Sequence, residues 1–255
     1  MIRKRLAAVV TVRDGQAVQS FGYRRYLPLG RPEILVENLD RWGADEIILQ
    51  CIDRGGAGPD FALLERVSRL GLSTPLIYVG GIRSVDQAVR AVQSGADRIG
   101  VDALLRDDPA TVATLAEPLG AQAVIAALPV ARAPEGLHWY DYRNGTSRPL
   151  AGPVLQVLDS GAVSEVMLID WRHEGSPAGF DMALPDAFPL PGMPLIPFGG
   201  LSEPDQMRSL LERPAVAAIA VGNFLSYREH AVQTLKQQLA GVPLRPPFYD
   251  RRMWS

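Results

Sequence analysis

The sequence predicts an α/β fold, a single (β/α)8 TIM barrel built from two similar half-barrels, and three observations lead to it. The chain has 255 residues, 47% of them hydrophobic, which is enough to bury one large core. Short aliphatic segments alternate with longer segments of helical periodicity. An internal repeat relates the first half of the chain to the second. A single domain made of two like halves follows.

Eight short segments have the aliphatic character of buried strands, and seven longer ones have apolar residues at helical spacing. The predicted strands are 5–12, 46–51, 75–79, 98–101, 121–127, 165–169, 194–198 and 217–221. The predicted helices are 32–42, 60–70, 84–94, 109–119, 149–160, 204–212 and 229–240. A doubly wound open sheet would also alternate in this way, but it does not explain two near-equal halves.

Three landmarks occur twice in the same order, 117, 119 and 121 residues apart. They are Ile52-Asp53 with Ile169-Asp170, Gly80-Gly81 with Gly199-Gly200, and Asp102-Ala103 with Asn223-Phe224. This spacing is too long for a solenoid unit and favours two similar half-domains.

Each glycine pair lies between a predicted strand and a predicted helix, where glycine lets the backbone approach an anion. The sequence therefore predicts one phosphate site in each half. Its residues are Gly80, Gly81, Asp102, Ala103, Gly199, Gly200, Gly222 and Asn223. The alternative is that each pair only makes a tight turn. Because the carboxylate of Asp102 repels an anion, we expect the first site to be the weaker one.

The composition argues against several classes of protein. With 28 acidic and 26 basic residues, the net charge of −2 gives no electrostatic case for nucleic acid. No apolar run reaches the roughly 18 residues of a membrane span. A single cysteine, Cys51, excludes an internal disulfide and suits a cytoplasmic protein. The three histidines lack metal-ligand spacing, so we predict neither a metal nor a cofactor.

Two segments break the alternation of strands and helices. Residues 136–145 include the turn pair Asn144-Gly145 and predict a small hairpin inserted after the fifth strand. Residues 241–255 contain three prolines and predict a surface tail, so the barrel is expected to occupy residues 1–240.

Several motifs together carry a resemblance to a known family. They are Lys4-Arg5, Val12-Arg13-Asp14-Gly15, Gly43-Ala44-Asp45-Glu46, Gly80-Gly81-Ile82-Arg83-Ser84, Ser94-Gly95-Ala96-Asp97-Arg98, Glu174-Gly175 and Gly179-Phe180-Asp181. With these motifs the chain resembles the cyclase subunit of imidazole glycerol phosphate synthase (HisF). The resemblance implies a barrel that binds a substrate with two phosphates, one per half. It also implies a HisH-like glutaminase partner that delivers ammonia at the opposite, N-terminal face.

The resemblance also places the family's catalytic residues on this chain, where most have been replaced. The two catalytic aspartates correspond to Thr11 and Leu128, the first-loop lysine to Gln19, and the strand-two aspartate to Cys51. Leucine cannot exchange protons near neutral pH and threonine does so only weakly. We therefore expect the ordinary imidazole-forming cyclisation to be absent.

Acidic residues in the loops after strands two and six are the remaining candidates for catalysis. They are Asp53, Asp170 and Glu174, with His173 adjacent. The resemblance implies that Glu174 occupies the position of an acid that helps to position substrate. Each residue could instead be a solvated loop residue, and Cys51 is more often a small core residue than a nucleophile.

Charged residues begin four of the predicted strands: Arg5, Glu46, Arg98 and Glu165. At the base of a barrel, two cations and two anions would pair into a neutral ring. The resemblance implies that these four form the ammonia gate, with Arg98 in place of a lysine, and that Asp97 lies at the glutaminase interface. The alternative is a solvated barrel floor.

The preferred hypothesis is a HisF-like synthase subunit that uses glutaminase-derived ammonia on a different phosphorylated or nucleotide-linked, sugar-type substrate. Relatives of this kind occur in surface-polysaccharide pathways that make amidino sugars. Two alternatives remain open. One is an authentic cyclase subunit of histidine biosynthesis, and the other is a non-catalytic barrel that binds a glutaminase.

Overall fold

The computed structural model describes residues 3–150 and 152–246 of the protein. Twelve strands occur in these residues. They are β1 (Arg5–Arg13), β2 (Gln16–Phe21), β3 (Arg25–Gly30), β4 (Glu46–Cys51), β5 (Leu76–Val79), β6 (Arg98–Val101), β7 (Val124–Ala133), β8 (Gly136–Asp141), β9 (Thr146–Pro149), β10 (Glu165–Asp170), β11 (Leu195–Phe198) and β12 (Ala218–Val221).

Helices connect the barrel strands along the described chain. They are α1 (Pro32–Arg41), α2 (Phe61–Ser68), α3 (Val85–Gln93), α4 (Ala103–Asp107), α5 (Pro109–Thr114), α6 (Ala116–Leu119), α7 (Pro153–Asp159), α8 (Pro204–Leu211) and α9 (Ala231–Gln238). Short 3₁₀ turns occur at Ala121–Ala123 and Asn223–Ser226. None of the helices in this part of the chain has the length and apolar character needed to cross a bilayer.

Eight of the strands are parallel neighbours in one closed wall. The order runs β1, β4, β5, β6, β7, β10 and β11, and β1 also pairs with β12 through Arg5 opposite Ala218. The Ala217 N–H donates to the carbonyl of Leu195 over 2.9 Å, which joins the last two strands. The predicted (β/α)8 barrel is confirmed, since all eight predicted strands are present.

The largest differences from the predicted elements lie around the fifth barrel strand. The prediction begins it at 121, but residues 121–123 form a 3₁₀ turn and β7 then continues to Ala133. The helix predicted at 109–119 is divided into α5 and α6. The Asp108 carboxylate caps α5 by accepting from the Thr111 N–H over 3.1 Å, and Pro109 occupies the first turn.

Two antiparallel hairpins extend from the first and fifth barrel strands. The one formed by β8 and β9 was predicted. The other, in which β2 and β3 follow β1, was not, although the turn that joins β1 to β2 is visible in the sequence as Asp14-Gly15. Both turn residues have positive φ, 50° and 73°, as a two-residue hairpin turn requires.

Side chains of the barrel strands alternate between an inner and an outer apolar layer. The inner layer contains Ala7, Val9, Ile48, Ile77, Val79, Ile125, Ala127, Met167, Ile169, Ile196, Phe198, Ala218 and Ala220. Leu128 packs in the outer layer, against the helices. Because Ile125 and Ala127 face inward, the next inward position of this strand is Pro129. The assignment of a lost catalytic position to Leu128 was therefore wrong by one residue.

The segment after residue 240 starts as part of the barrel. The Lys4 N–H donates to the carbonyl of Pro243 over 3.1 Å, and Val242 and Leu244 pack against the outer core. The docking of these residues differs from the surface tail predicted at 241–255. Residues 247–255 of that prediction lie outside the described part of the chain.

Candidate active site and charged ring

The four charged residues predicted at the strand starts meet in a ring at the base of the barrel. Arg5 hydrogen-bonds Glu165, and its Nε lies 3.4 Å from Glu46 Oε2. The Nη1 atom of Arg98 lies 3.3 Å from Glu46 Oε1 and 2.7 Å from Glu165 Oε2. Each cation therefore contacts both anions.

The ring is buried on its acidic side. The side chains of Glu46 and Glu165 are 7% and 8% exposed, whereas that of Arg5 is 29% exposed. Burial raises the pKa of Glu46, and the charges of Arg5 and Arg98 act against this rise. Asp97, at the same end, is exposed, and its carboxylate accepts from the Leu76 N–H over 2.7 Å.

The two glycine pairs occupy matching places at the other end, which we call the mouth. All four glycines have positive φ. A Cβ atom on Gly81 would lie 2.7 Å from the backbone of Gly58, and one on Gly200 would lie 2.7 Å from the carbonyl of His173. Close packing against a neighbouring loop thus requires glycine in both halves, as the tight-turn alternative proposed.

One cavity, which we call the first cavity, opens in the first half of the mouth and has a volume of about 290 Å³. Gly80, Gly81, Asp102 and Ala103 line it, as do side chains that sequence analysis did not assign. Those side chains are Tyr23, Arg54, Arg83, Arg106, Tyr142 and Arg143. The structure therefore brings the predicted first-half residues together and surrounds them with arginines.

Asp102 is the carboxylate that lines the first cavity. The Tyr142 hydroxyl, from the hairpin after strand five, donates a hydrogen bond to it. Burial raises the pKa of Asp102, which the Tyr142 hydrogen bond and the Arg106 charge oppose. The rings of Tyr23 and Tyr142 lie 6.1 Å apart, so the two hairpins meet over this half of the mouth.

A second cavity of about 250 Å³ lies in the other half and is lined by Gly199, Gly200, Gly222 and Asn223. Glu174 and Glu203 also line it, and no lysine or arginine of the described residues does. The Asn223 carboxamide is already engaged, because it donates to the Ser20 carbonyl over 2.6 Å and accepts from the Ser20 N–H over 3.1 Å. Because Glu174 and Glu203 are its charged lining residues, the second cavity is acidic.

The structure does not bring the three candidate catalytic carboxylates together. Glu174 is buried and accepts from the Ser20 hydroxyl over 3.0 Å and from the Tyr23 N–H over 3.1 Å. Burial raises its pKa. It holds the β2–β3 hairpin against the second half of the mouth.

The other two carboxylates stabilise loops away from both cavities. Asp170 points to the outside of the barrel and contacts His173 Nδ1 over 2.7 Å and the Asp181 N–H over 2.8 Å. Asp53 is exposed and accepts from the Asp14 N–H over 2.6 Å. Asp170 is the last residue of β10 and is buried, so it is not in a loop, and the catalytic role of these two residues stays a prediction.

The replaced family positions are buried around the upper barrel. Thr11 and Gln19 are 5% and 7% exposed. Burial raises the pKa of the Cys51 thiol to about 12, so that it remains protonated at neutral pH and is a poor nucleophile. Among the described residues, no group of three or more His, Cys, Asp or Glu side chains is placed to hold a metal ion.

Arg106 is the mouth residue that sequence reasoning missed most clearly. It lies one helical turn after Asp102, on α4, which is the spacing that places both side chains on one face. The repeat places Arg106 opposite Tyr227, 121 residues later, so the difference in charge between the halves is visible in the sequence at this position.

The closed wall, the duplicated mouth and the charged base define a (β/α)8 barrel of two half-barrels. The sequence profile described as "Histidine biosynthesis protein" matches residues 5–231, and the chain belongs to this family. It is similar to the putative imidazole glycerol phosphate synthase subunit hisF2 of Vibrio vulnificus, with 25% identity over 250 residues, 96% of this chain and 91% of the relative.

Two further relatives carry the name imidazole glycerol phosphate synthase subunit HisF. The protein from Staphylococcus saprophyticus is 25% identical over 253 residues, 96% of this chain and 100% of the relative. The protein from Pyrococcus furiosus is 27% identical over 254 residues, 96% of this chain and 99% of the relative. The chain is therefore HisF-like over nearly its whole length.

Proposed function

We propose that this protein is the HisF-like synthase subunit of a two-protein, ammonia-using enzyme. In this proposal a HisH-like glutaminase docks at the N-terminal face and ammonia enters through the ring of Arg5, Glu46, Arg98 and Glu165. The observation that carries the proposal is the arrangement of the ring, in which both arginines contact both glutamates.

The barrel interior above the ring suits a small neutral molecule. The inner layer consists of aliphatic, methionine and phenylalanine side chains. Ammonium would lose its hydration there without gaining a partner, whereas uncharged ammonia would lose much less. The proposal includes a cytoplasmic location, which the single free cysteine supports.

The substrate that we propose is anionic, of the phosphorylated or nucleotide-linked sugar type, and binds at the mouth. The inward positions at the ends of strands one and five are Thr11 and Pro129. Neither can act as the carboxylate that general acid–base cyclisation needs, so a different reaction of ammonia is favoured. A role in surface-polysaccharide synthesis remains a hypothesis within this proposal.

Authentic histidine-pathway cyclase is the second candidate. The relatives named HisF favour it, because they align with 96% of this chain at 25% and 27% identity. A non-catalytic barrel that binds a glutaminase is the third candidate. The one observation that favours it is the replacement of the family's catalytic aspartates.

Co-expression with a HisH-like glutaminase tests the partnership. We expect a 1:1 complex and a higher glutaminase activity in the presence of this protein. Glu46→Lys should uncouple the pair, because three cations would then crowd the ring, whereas Arg98→Lys should preserve coupling. Glu135→Lys, on the exposed turn at the mouth end, is the matched charge-reversal control. Failure to co-purify together with unchanged glutaminase activity would refute the partnership.

Rescue of a histidine auxotroph that lacks the cyclase subunit separates the first two candidates. We expect no growth without histidine, because a missing proton-transfer group typically costs on the order of 10²–10⁴-fold in rate. Growth at the rate given by an authentic cyclase would establish the histidine-pathway function instead.

A further inference from the structure

The two halves of the mouth have opposite charge although their backbones repeat. Four arginines and one carboxylate line the first cavity. Within the part of the chain that the structure describes, two carboxylates and no cation line the second. An anion entering the mouth therefore meets an attractive half and a repulsive half.

The internal repeat shows that most of these arginines have no cationic counterpart in the second half, and Arg143 comes from the hairpin after strand five. The repeat offsets of 117, 119 and 121 residues pair three of them with uncharged residues. The pairs are Arg54 with Trp171, Arg83 with Ser202, and Arg106 with Tyr227. Tyr227 lines the second cavity just as Arg106 lines the first. The asymmetry is thus in the side chains, not in the backbone.

Arg106 carries a buried charge that the protein does not fully satisfy. Its side chain is 10% exposed, and its three guanidinium nitrogens have no hydrogen-bond partner among the described residues. Asp141 Oδ1 lies 3.2 Å from Nη1, and Asp107 Oδ1 lies 3.5 Å from Nε. Both carboxylates already accept hydrogen bonds from Arg143. A buried cation without hydrogen bonds is costly, and an anion in the adjoining cavity would compensate it.

The other charged groups of the first cavity are fixed in place. Arg54 donates to the Gly58 carbonyl over 2.8 Å, and Arg83 donates to the Gly55 carbonyl over 2.6 Å and to Asp107 over 3.2 Å. Asp102 accepts from Tyr142. The cavity therefore presents a preorganised set of cations, and its one lining carboxylate is already held by a donor.

The second cavity has no comparable group. Glu174 is held by the Ser20 hydroxyl and the Tyr23 N–H, and Glu203 accepts from the Ser202 hydroxyl over 3.2 Å. These carboxylates repel phosphate, whereas a carboxylate can accept hydrogen bonds from sugar hydroxyl groups.

We propose that the ligand of this mouth has a single anionic end, of the phosphate or diphosphate class, which binds in the first cavity beside Arg106, while its other end is uncharged and lies over the second cavity. This inference rests on the proposed function, because it assumes that the mouth binds substrate. The sequence, through Asp102, predicts weaker anion binding in the first half than in the second, and this inference reverses that order.

Calorimetric titration with inorganic phosphate, fructose 6-phosphate and fructose 1,6-bisphosphate tests the proposal. We expect one phosphate per chain, and the bisphosphate should bind no better than about twofold over the monophosphate. Two phosphate sites would make the bisphosphate bivalent and tighter on the order of 10²-fold or more. Either that gain or a stoichiometry of two would overturn the proposal, and so would an absence of phosphate binding.

Variants in the two halves locate the site. Arg106→Met should weaken phosphate binding by about tenfold or more, as expected for a lost charge-assisted interaction, and Arg106→Lys should retain most of it. Tyr227→Phe and Ser202→Ala, the matched changes in the second half, should leave binding unchanged. If Arg106→Met does not fold, Arg83→Gln takes its place. Equal losses of phosphate binding from variants in the two halves would contradict the proposal.

The glutaminase assay tests the proposed function separately. If this protein activates the glutaminase but phosphate does not bind in the first cavity alone, the proposed function is retained and this inference is rejected.

Discussion

Charged groups are satisfied in different ways at the two ends of this barrel. At the base, Arg5, Glu46, Arg98 and Glu165 form a closed ring in which every member has two partners of opposite sign. At the mouth, Arg106 is more buried than Arg98, with 10% against 15% of its side chain exposed, but it has no hydrogen-bond partner among the described residues.

The difference separates charges that serve the fold from charges that serve a ligand. A closed, neutral ring is stable without any further molecule, and removing one member leaves the two opposite charges buried with one partner fewer. Arg106 lies near two carboxylates but hydrogen-bonds neither, so its removal loses less, and its charge gains from an incoming anion. Substitution of an arginine should therefore destabilise the protein more at the base than at the mouth.

Arg98→Met should have the largest effect. It leaves Glu46 and Glu165 buried with only Arg5 between them, and breaking a buried ion pair costs roughly 3–5 kcal/mol. Urea unfolding of the apo-protein measures the loss. Arg106→Met is the control at the mouth and should cost clearly less. Similar losses for the two variants would show that the ends do not differ.

Gly81→Ala should have the next largest effect, because it tests the backbone of the mouth rather than its charges. The added Cβ would meet the Gly58 backbone at 2.7 Å, at a φ of 70°. Such incompatible substitutions destabilise by more than about 1 kcal/mol. Gly56→Ala, where the Cβ meets nothing within 4 Å and φ is ordinary, should be neutral or slightly stabilising. Thermal unfolding compares the two, and equal melting temperatures would contradict the close-packing account.

A smaller effect, visible in its pH dependence, is expected at Glu174. Burial raises its folded-state pKa, so the folded protein binds more protons than the unfolded chain. Its contribution to stability is therefore favourable at low pH and is lost as pH rises from the ordinary glutamate pKa, about 4.3, through the raised value. Glu174→Gln removes this loss and keeps an acceptor for the Tyr23 N–H. The free energy of unfolding should change less with pH across that window in the variant than in the wild-type protein. The same pH dependence in both proteins would show that the pKa of Glu174 is not raised by folding.

At Cys51 we expect no reaction in the native protein. Because burial raises the pKa of this thiol to about 12, the native protein should not react with a thiol-specific disulfide reagent at neutral pH, and the urea-unfolded chain should react fully. Rapid reaction of the native protein would return Cys51 to the list of candidate nucleophiles.

Most of the architecture could be predicted from the sequence, because buried parallel strands and amphipathic helices leave strong periodic patterns. The β2–β3 hairpin was missed because Asp14-Gly15, which joins β1 to β2, was considered only as part of a family motif and not as a turn. The position of Leu128 was wrong because side chains alternate along a strand, and a shift of one residue moves a side chain from the barrel interior to the helix layer.

The candidate site was predicted in part. The charged ring could be anticipated since its members all start strands, and strand starts converge at one end of a barrel. The polarity of the mouth could not, because it depends on Tyr142 and Arg143 from a distant hairpin and on how deeply Arg106 is buried. Likewise, the separation of Asp53, Asp170 and Glu174 depends on loop conformations that residue spacing does not encode.

The glycine contacts have a consequence for the assembly of the protein. Gly81 packs against Gly58 and Arg54, and Gly200 packs against His173 and Phe180, so each contact is completed within its own half. A chain cut at residues 121–123 would leave both sets intact. It would also leave each fragment with an apolar inner face and two open strand edges, which normally pair in β1 with β12 and in β6 with β7. We therefore expect the two separately produced fragments to rebuild the closed barrel when they are mixed.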